Sequence, residues 1–309
     1  MKLVRKAGLQ VFAFMLFLLC TMETASAAPK LQVLVNNSSL NNGVQIVYGK
    51  TMVPLNAFQS FNNIVIQWNA AAKQATIVRD TTVIKLNVGQ RTAWVNAKPV
   101  QLDAPAKIVN GRVTVPLRFI AEALGAKVTV DVAANKVWIQ ERASAAILNN
   151  YNSNDLTTSR IAALRIPYEE RQLSQLSSDS EALSSTYYFP EGRSDSYFMV
   201  YGQIVTYVEI KDKIRSTVWE AKLDSSKEAT STDFTVMFGY PIAKENGKPP
   251  VLAPSYAYFY NSIWGSNIMF GIINSDGSSK IPGQSVYWSD SIKDFIMEIP
   301  GETKETNYE

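Results

Sequence analysis

The chain of 309 residues contains no histidine, and its one cysteine is Cys20. That composition prunes the available chemistry before any motif is read. Structural zinc sites draw on Cys and His, and common catalytic zinc sites use at least one His. Copper and iron sites lean on imidazole as well. Ser-His-Asp triads and Cys-His dyads cannot be assembled. What remains is carboxylate, Lys, Tyr, Ser and Arg chemistry. Carboxylate pairs hydrolyse glycosides, and Ser-Lys pairs cleave amides. A calcium site would need an Asp-rich loop of fixed spacing, which this sequence lacks.

Aromatic residues offer the clearest binding pattern. Tyr256, Tyr258 and Tyr260 alternate, so in a strand they share one face, opposite Ala257 and Phe259. Trp264, Tyr287 and Trp288 lie nearby in sequence. Flat aromatics on a sheet can stack on sugar rings. The competing reading, favoured by strand propensity, has these rings filling a core or its rim. Tyr256, Tyr258, Tyr260, Trp264 and Trp288 are therefore the candidate ligand-binding residues. No catalytic, cofactor or metal residue is assigned.

Charged clusters read more plainly. Glu169-Glu170-Arg171 places adjacent side chains about 100° apart on a helix, so the two carboxylates do not face each other and a solvated face is expected. Arg118 and Glu122 are spaced for an exposed i,i+4 ion pair. Glu191, Arg193 and Asp195 lie in a mixed-charge turn, and a polar loop is the expectation there.

The elements that would position these groups begin after a secretory signal. Lys2, Arg5 and Lys6 form its basic region, Val11 to Cys20 its apolar run, and Ala25-Ser26-Ala27 a small-residue cleavage site. Leu19 is bulky before Cys20, which argues for ordinary cleavage after Ala27 rather than lipoprotein processing. The run is shorter than the ~20 residues a membrane span needs. Cleavage leaves 282 residues and lowers the net charge from +3 to +1. That is no electrostatic footprint for nucleic acid and no polybasic membrane patch. Without cysteine, the mature protein must hold together by packing alone, which fits a bacterial exported protein.

Residues 31–142 carry an internal repeat. Gly111-Arg112-Val113-Thr114-Val115-Pro116-Leu117 matches Gly49-Lys50-Thr51-Met52-Val53-Pro54-Leu55 at an offset of 62, and Val95-Asn96 matches Val35-Asn36 at 60. In the second copy a short strand precedes a helix. Pro116 suits its first turn, Leu117, Ile120, Ala121 and Leu124 share one face, and Gly125 can close it in the left-handed conformation. Asn63, which also tolerates that conformation, lies under Gly125. The first helix, Pro54 to Asn62, is less cleanly patterned. Neither helix is long enough to stand alone, so the two copies are expected to share one core.

The second-copy run Asn110 to Ala126, with Val95-Asn96, resembles the stalk domain related to the N-terminal domain of copper amine oxidases, a module found in exported proteins of Gram-positive spore-forming bacteria. The resemblance covers about 110 residues and implies an envelope-exposed, non-catalytic module. Oxidase activity in that family belongs to a different domain with three copper-binding histidines, which a chain without histidine cannot supply.

Beyond it, residues 143–185 read as a connector: polar turns over 149–155, then helices over Thr158 to Arg165 and Tyr168 to Leu176, or a loose linker. Residues 186–300 read as short antiparallel strands separated by turns, forming a sandwich or curled sheet, with strands expected at Phe234 to Tyr240 and Asp294 to Ile299. A polar tail occupies 301–309. The expected class is α+β: a duplicated strand, short-helix and hairpin stalk domain followed by an antiparallel β-rich domain. The expected protein is secreted and non-catalytic, outside the cell or non-covalently held at the wall. It has no transmembrane segment after cleavage, binds no nucleic acid or cofactor, and takes a cell-wall polymer or another envelope protein as partner. The alternatives are an exported carboxylate-dependent hydrolase of wall polysaccharide or peptide, and a protein that assembles through exposed strand edges.

Overall fold

Turn chemistry dictates the front of the molecule. In the computed structural model, which describes residues 31–40, 42–169, 176–179, 184–230, 236–262, 267–287 and 294–305, thirteen strands precede residue 141. They are β1 (Gln32–Val35), β2 (Ser38–Ser39), β3 (Gln45–Val47), β4 (Lys50–Pro54), β5 (Ile64–Asn69), β6 (Gln74–Arg79), β7 (Thr82–Asn87), β8 (Thr92–Val95), β9 (Lys98–Gln101), β10 (Lys107–Val109), β11 (Arg112–Pro116), β12 (Lys127–Asp131) and β13 (Lys136–Gln140). Asn36-Asn37, Tyr48-Gly49, Asn96-Ala97 and Asn110-Gly111 each have two successive positive φ angles. Two-residue turns of that kind match the twist of the strands they join, and they form the β1–β2, β3–β4, β8–β9 and β10–β11 hairpins.

These strands build three sheets, ordered β5-β6-β7-β8-β9, β10-β11-β4-β3 and β12-β13-β1-β2. The last is closed by the start of the chain. β1 lies parallel to β13, with Val33 against Val137 and Val35 against Ile139. β4 runs into a 3₁₀ helix, Leu55–Ser60, and β11 into α1 (Leu117–Ala123). Pro116 ends the strand and caps α1 with φ −59°, ψ 119°, rather than occupying its first turn. Asn63 and Gly125 both take the left-handed conformation, at φ 58° and 72°. The apolar faces of both helical segments are buried, through Leu55 and Phe58 in the first and Leu117, Ile120 and Ala121 in the second.

The rear of the chain supplies α2 (Ala145–Tyr151), α3 (Leu156–Arg165), β14 (Tyr168–Glu169), β15 (Ser184–Pro190), β16 (Ser196–Tyr201), β17 (Ile204–Lys211), β18 (Ile214–Leu223), β19 (Ile242–Gly247), β20 (Ser255–Ser262), β21 (Asn267–Asn274) and β22 (Ser279–Tyr287). The strands make one sheet in the order β14-β18-β17-β16-β15-β20-β21-β22, with β19 also pairing β18. Its pairings are antiparallel except for the short parallel contact of β14 with β18. Both faces of the sheet are packed. One holds Phe189, Tyr197, Ala257, Phe259 and Ile268 with Ala163 of α3 and with Ile296 and Ile299. The other holds Phe198, Trp219, Ala221 and Tyr256 with Met237 and Phe238. The described chain is thus mostly β with a few short helices.

Several local expectations change. The Asn-rich run starting at 149 lies partly in α2, because Ser144 caps that helix by accepting from Ile147 N–H. Tyr168 and Glu169 form a strand, not a helix. Pro167 accepts from Arg215 N–H and steers them onto β18, and residues 170–175 of that expectation lie outside the described residues. Val236–Phe238 is a 3₁₀ turn. Residues 294–299 are not a strand, although Ile296 and Ile299 are buried.

Candidate functional site

The alternating tyrosines of β20 do share a face, and the structure grades their exposure along it. Tyr256 is 1% exposed. Its ring lies 5.7 Å from that of Phe198, its hydroxyl accepts from Ala253 N–H at 2.7 Å, and burial pushes its pKa up to about 12. It is a core residue and offers no ring to a ligand, which corrects its assignment as a binding residue. The reason is that Met237, Phe238 and Leu252 close over this part of the sheet.

Tyr258 and Tyr260 are half-buried. Tyr258 lies across Gly271 and Gly283. A Cβ at either glycine would run into the tyrosine ring or hydroxyl, so the two glycines make the floor on which the ring rests. Burial raises its pKa. Trp264 and Trp288 fall outside the described residues, whereas Tyr287 is 77% exposed.

The carboxylates are engaged with partners. Glu141 accepts from Arg79 at 2.7 Å, from Asn62 N–H at 2.8 Å, and from the Asn36 and Asn62 amides at 3.2 Å each. Arg79 also donates to the Leu124 carbonyl at the end of α1, at 2.6 Å. Burial raises the Glu141 pKa against the opposing pull of Arg79. Glu302 forms a two-pronged pair with Arg160 at 2.6 and 2.7 Å and accepts from Gly192 N–H at 2.9 Å. Glu169, one of the paired carboxylates in sequence, is buried beside Lys127 at 2.9 Å, while Glu170 and Arg171 lie outside the described residues. Arg118 and Glu122 form the expected exposed pair at 3.9 Å.

In the mixed-charge turn, Arg193 binds Asp195 at 2.6 Å. Glu191 binds Ser255 and Lys280. Burial pushes its carboxyl up, but the Lys280 and Ser255 hydrogen bonds hold it below the usual range. Among the described residues no group of three potential metal-ligating side chains occurs, and no buried side-chain nitrogen or oxygen lacks a hydrogen-bond partner.

Two clefts flank the central β10-β11-β4-β3 sheet. One, about 420 Å³, is lined by Gly49–Thr51, Leu117, Val128 and Val130. The other, about 300 Å³, is lined by Gly111–Val113, Leu55, Ile66 and Trp68. Each residue of the first set lies 62 positions from a counterpart in the second. In each cleft a hairpin tip of one sequence copy meets the helix start and outer strand of the other. The larger carries the Lys50–Asp103 and Arg118–Glu122 pairs on its wall. The smaller is more apolar, with Trp68 and Ile108 42% and 48% exposed. The signal for these clefts was present in the 62-residue offset, but the pairing that creates them is not local in sequence.

With that architecture in view, residues 34–139 match the family model described as Copper amine oxidase N-terminal domain. The front third of the chain therefore carries the domain that its repeat motif resembles. No curated protein matches the chain.

Proposed function

We propose that this is an exported, non-catalytic protein of the cell envelope. In this reading residues 31–142 are a stalk made of two copies of one folding unit and serve as spacer or adhesion module. Residues 186–300 are a β-rich domain that binds a wall polymer or another envelope protein. The observation that carries the reading is how the buried charges are used. Arg79–Glu141 and Arg160–Glu302, at 2–6% side-chain exposure, each join distant segments of chain. Charge spent this way gives rigidity and register rather than reactivity. The matched domain supports the stalk assignment. The two-copy reading is supported by left-handed residues recurring at equivalent positions: Gly49 and Gly111, Asn63 and Gly125, Lys73 and Asn135. Tyr258 and Tyr260 are the ring surfaces of β20 left for a ligand.

Two measurements test the proposal separately. N-terminal sequencing of protein recovered from the culture medium of a Gram-positive host should begin at Ala28; intact protein confined to the cytoplasm would refute export. A pull-down of the mature chain on purified cell wall should retain it, and a Tyr258→Ala/Tyr260→Ala variant should be retained less. No retention of the mature chain would refute wall binding.

A further inference from the structure

The outer face of the β5–β9 sheet holds a feature that neither the repeat nor the tyrosines explain. Ala75, Ile77, Ile84, Leu86 and Ala93 point inward and are buried. Trp94 points the other way, paired across the ladder with Lys85 on one side and Pro99 on the other. It is half-buried, and its indole N–H, which has no hydrogen-bond partner among the described residues, is open to solvent. A shallow groove of about 570 Å³ runs beside it, lined by Gln74, Val83, Lys85, Asn87, Trp94 and Asn96.

We propose that this groove is a saccharide-binding site in which Trp94 stacks on a pyranose ring. The chemistry of the lining selects the ligand. Gln74 donates through Nε2 to Asn87 Oδ1 at 2.9 Å. That bond uses one half of each amide and leaves a Gln74 acceptor beside an Asn87 donor. Asn96 spends its oxygen on Val83 N–H at 2.8 Å, which leaves its amide donors free. Adjacent donors and acceptors suit vicinal hydroxyls, each of which can donate and accept. A single flat ring among such groups suits a sugar, with its apolar C–H face and polar rim.

Other ligand classes fit less well. Lys85 is the one cation on the lining, too little for a polyphosphate, and no carboxylate lines it for a basic ligand. The backbone groups of β6, β7 and β8 are committed to their ladders, so a peptide cannot add as a strand here. The groove volume lies in the ~300–1,000 Å³ range of small-molecule sites. The inference stands on this sheet face alone and does not depend on export or on the β20 tyrosines.

The test is titration of the full mature chain with cellotetraose, chitotetraose and maltotetraose at millimolar concentration, following the indole N–H resonances in the parent and in Asn87→Ala, and the heat of binding in the parent and every variant. The Trp94 resonance is assigned by its loss in Trp94→Phe. At least one tetrasaccharide should shift it, with affinity falling about tenfold in Trp94→Ala and about three- to tenfold in Asn87→Ala. Trp94→Phe should retain part of the affinity, while Val251→Ala, at a 96% exposed residue outside the groove, leaves it unchanged. If none of the three sugars moves the Trp94 resonance, or if binding is the same in Trp94→Ala and Asn87→Ala as in the parent, the proposal is overturned. Asn87→Ala provides the reading should Trp94→Ala fail to fold.

Discussion

Val53 of β4 and Val115 of β11 stand directly opposite each other in antiparallel strands, and both are 0% exposed. They are 62 residues apart, so they are also equivalent positions of the sequence repeat. On either side, Met52 faces Pro116 and Pro54 faces Thr114. Exchanging each residue for its equivalent returns the same two pairs. A local twofold relation therefore passes between the valines.

The two valines should then carry similar energetic weight. Val53→Ala and Val115→Ala should each lower the unfolding free energy by about 2–3 kcal/mol, from lost burial plus a partly relaxed cavity. Because the side chains are neighbours, the double variant should depart from the sum of the singles. Urea unfolding of all three variants measures this. A neutral Val53→Ala beside a costly Val115→Ala would mean that the two sites do not share a core.

The Arg79–Glu141 pair makes a sharper prediction. Removing one member of a buried pair strands the other, at about 3–5 kcal/mol. Arg79→Met should cost that much at neutral pH, and Arg79→Met/Glu141→Leu should recover a substantial part. In Arg79→Met the Glu141 pKa, already raised by burial, loses its main opposing charge and rises further. A carboxyl with a raised folded pKa stabilises when protonated. That contribution is complete below the unfolded value near 4.5 and is lost as pH rises through the folded value. The deficit of Arg79→Met should therefore shrink on acidification. A deficit that stays constant with pH would show that Glu141 is not the stranded group.

What could be read in the chain follows from the range of each interaction. Asn63 and Gly125 were legible as helix-closing residues because a left-handed φ is a local demand that few side chains meet. The Asp212-Lys213 turn, at φ 53° and 66°, makes the same local demand where β17 turns back into β18. The parallel pairing of β1 with β13 spans about a hundred residues and leaves no periodic trace. Tyr256 failed as a binding residue because alternation says which residues share a face, not whether that face is covered. Here it is covered by a 3₁₀ turn that was expected to be a strand. Trp94 had a signal, since Ala93 and Val95 flank it with apolar neighbours and so send it to the polar face, but a four-residue strand is too short for alternation to stand clear of chance. Glu302 had none, because its partner Arg160 is 142 positions away.

Helix α3 should respond to acid at its first turn. Asp155 accepts from Thr158 N–H at 2.8 Å, a side-chain cap of one of the helix's unpaired donors. Its hydrogen bonds with Thr158 hold its pKa below the ordinary 3.8. A depressed carboxyl contributes stability above the unfolded pKa and loses it as pH falls through the folded one. Asp155→Ala should cost about 1 kcal/mol at neutral pH, and the difference between parent and variant should shrink as pH falls from the unfolded value of 3.8 through the lower folded one. Unfolding at a series of pH values checks the trend, and carboxyl titration by NMR checks the shift. An ordinary pKa for Asp155 would contradict the cap.

Over residues 301–305 the expected polar tail is structural. Glu302 is 3% exposed in its side chain and meets the equally buried Arg160. Arg160 also donates to the Arg193 carbonyl at 3.0 Å and lies over the rings of Phe189 and Phe259 at 5.3 and 5.6 Å. Glu305 N–H donates to the Gly192 carbonyl at 2.9 Å, which fastens the chain on the far side of the pair. Ending the chain before Gly301 would leave the guanidinium buried without its carboxylate. That truncation should cost about 3–5 kcal/mol, whereas Glu302→Gln, which keeps the shape and one acceptor, should cost less. Lys304→Ala, by contrast, removes contacts to the Ser153 carbonyl and the Ser159 hydroxyl and a weak attraction to Asp155, and should cost about 1 kcal/mol. Thermal and urea unfolding of the three variants should rank them truncation, Glu302→Gln, Lys304→Ala. A truncated chain as stable as the parent would show that Arg160 is satisfied without Glu302, and that the last residues hold nothing in place.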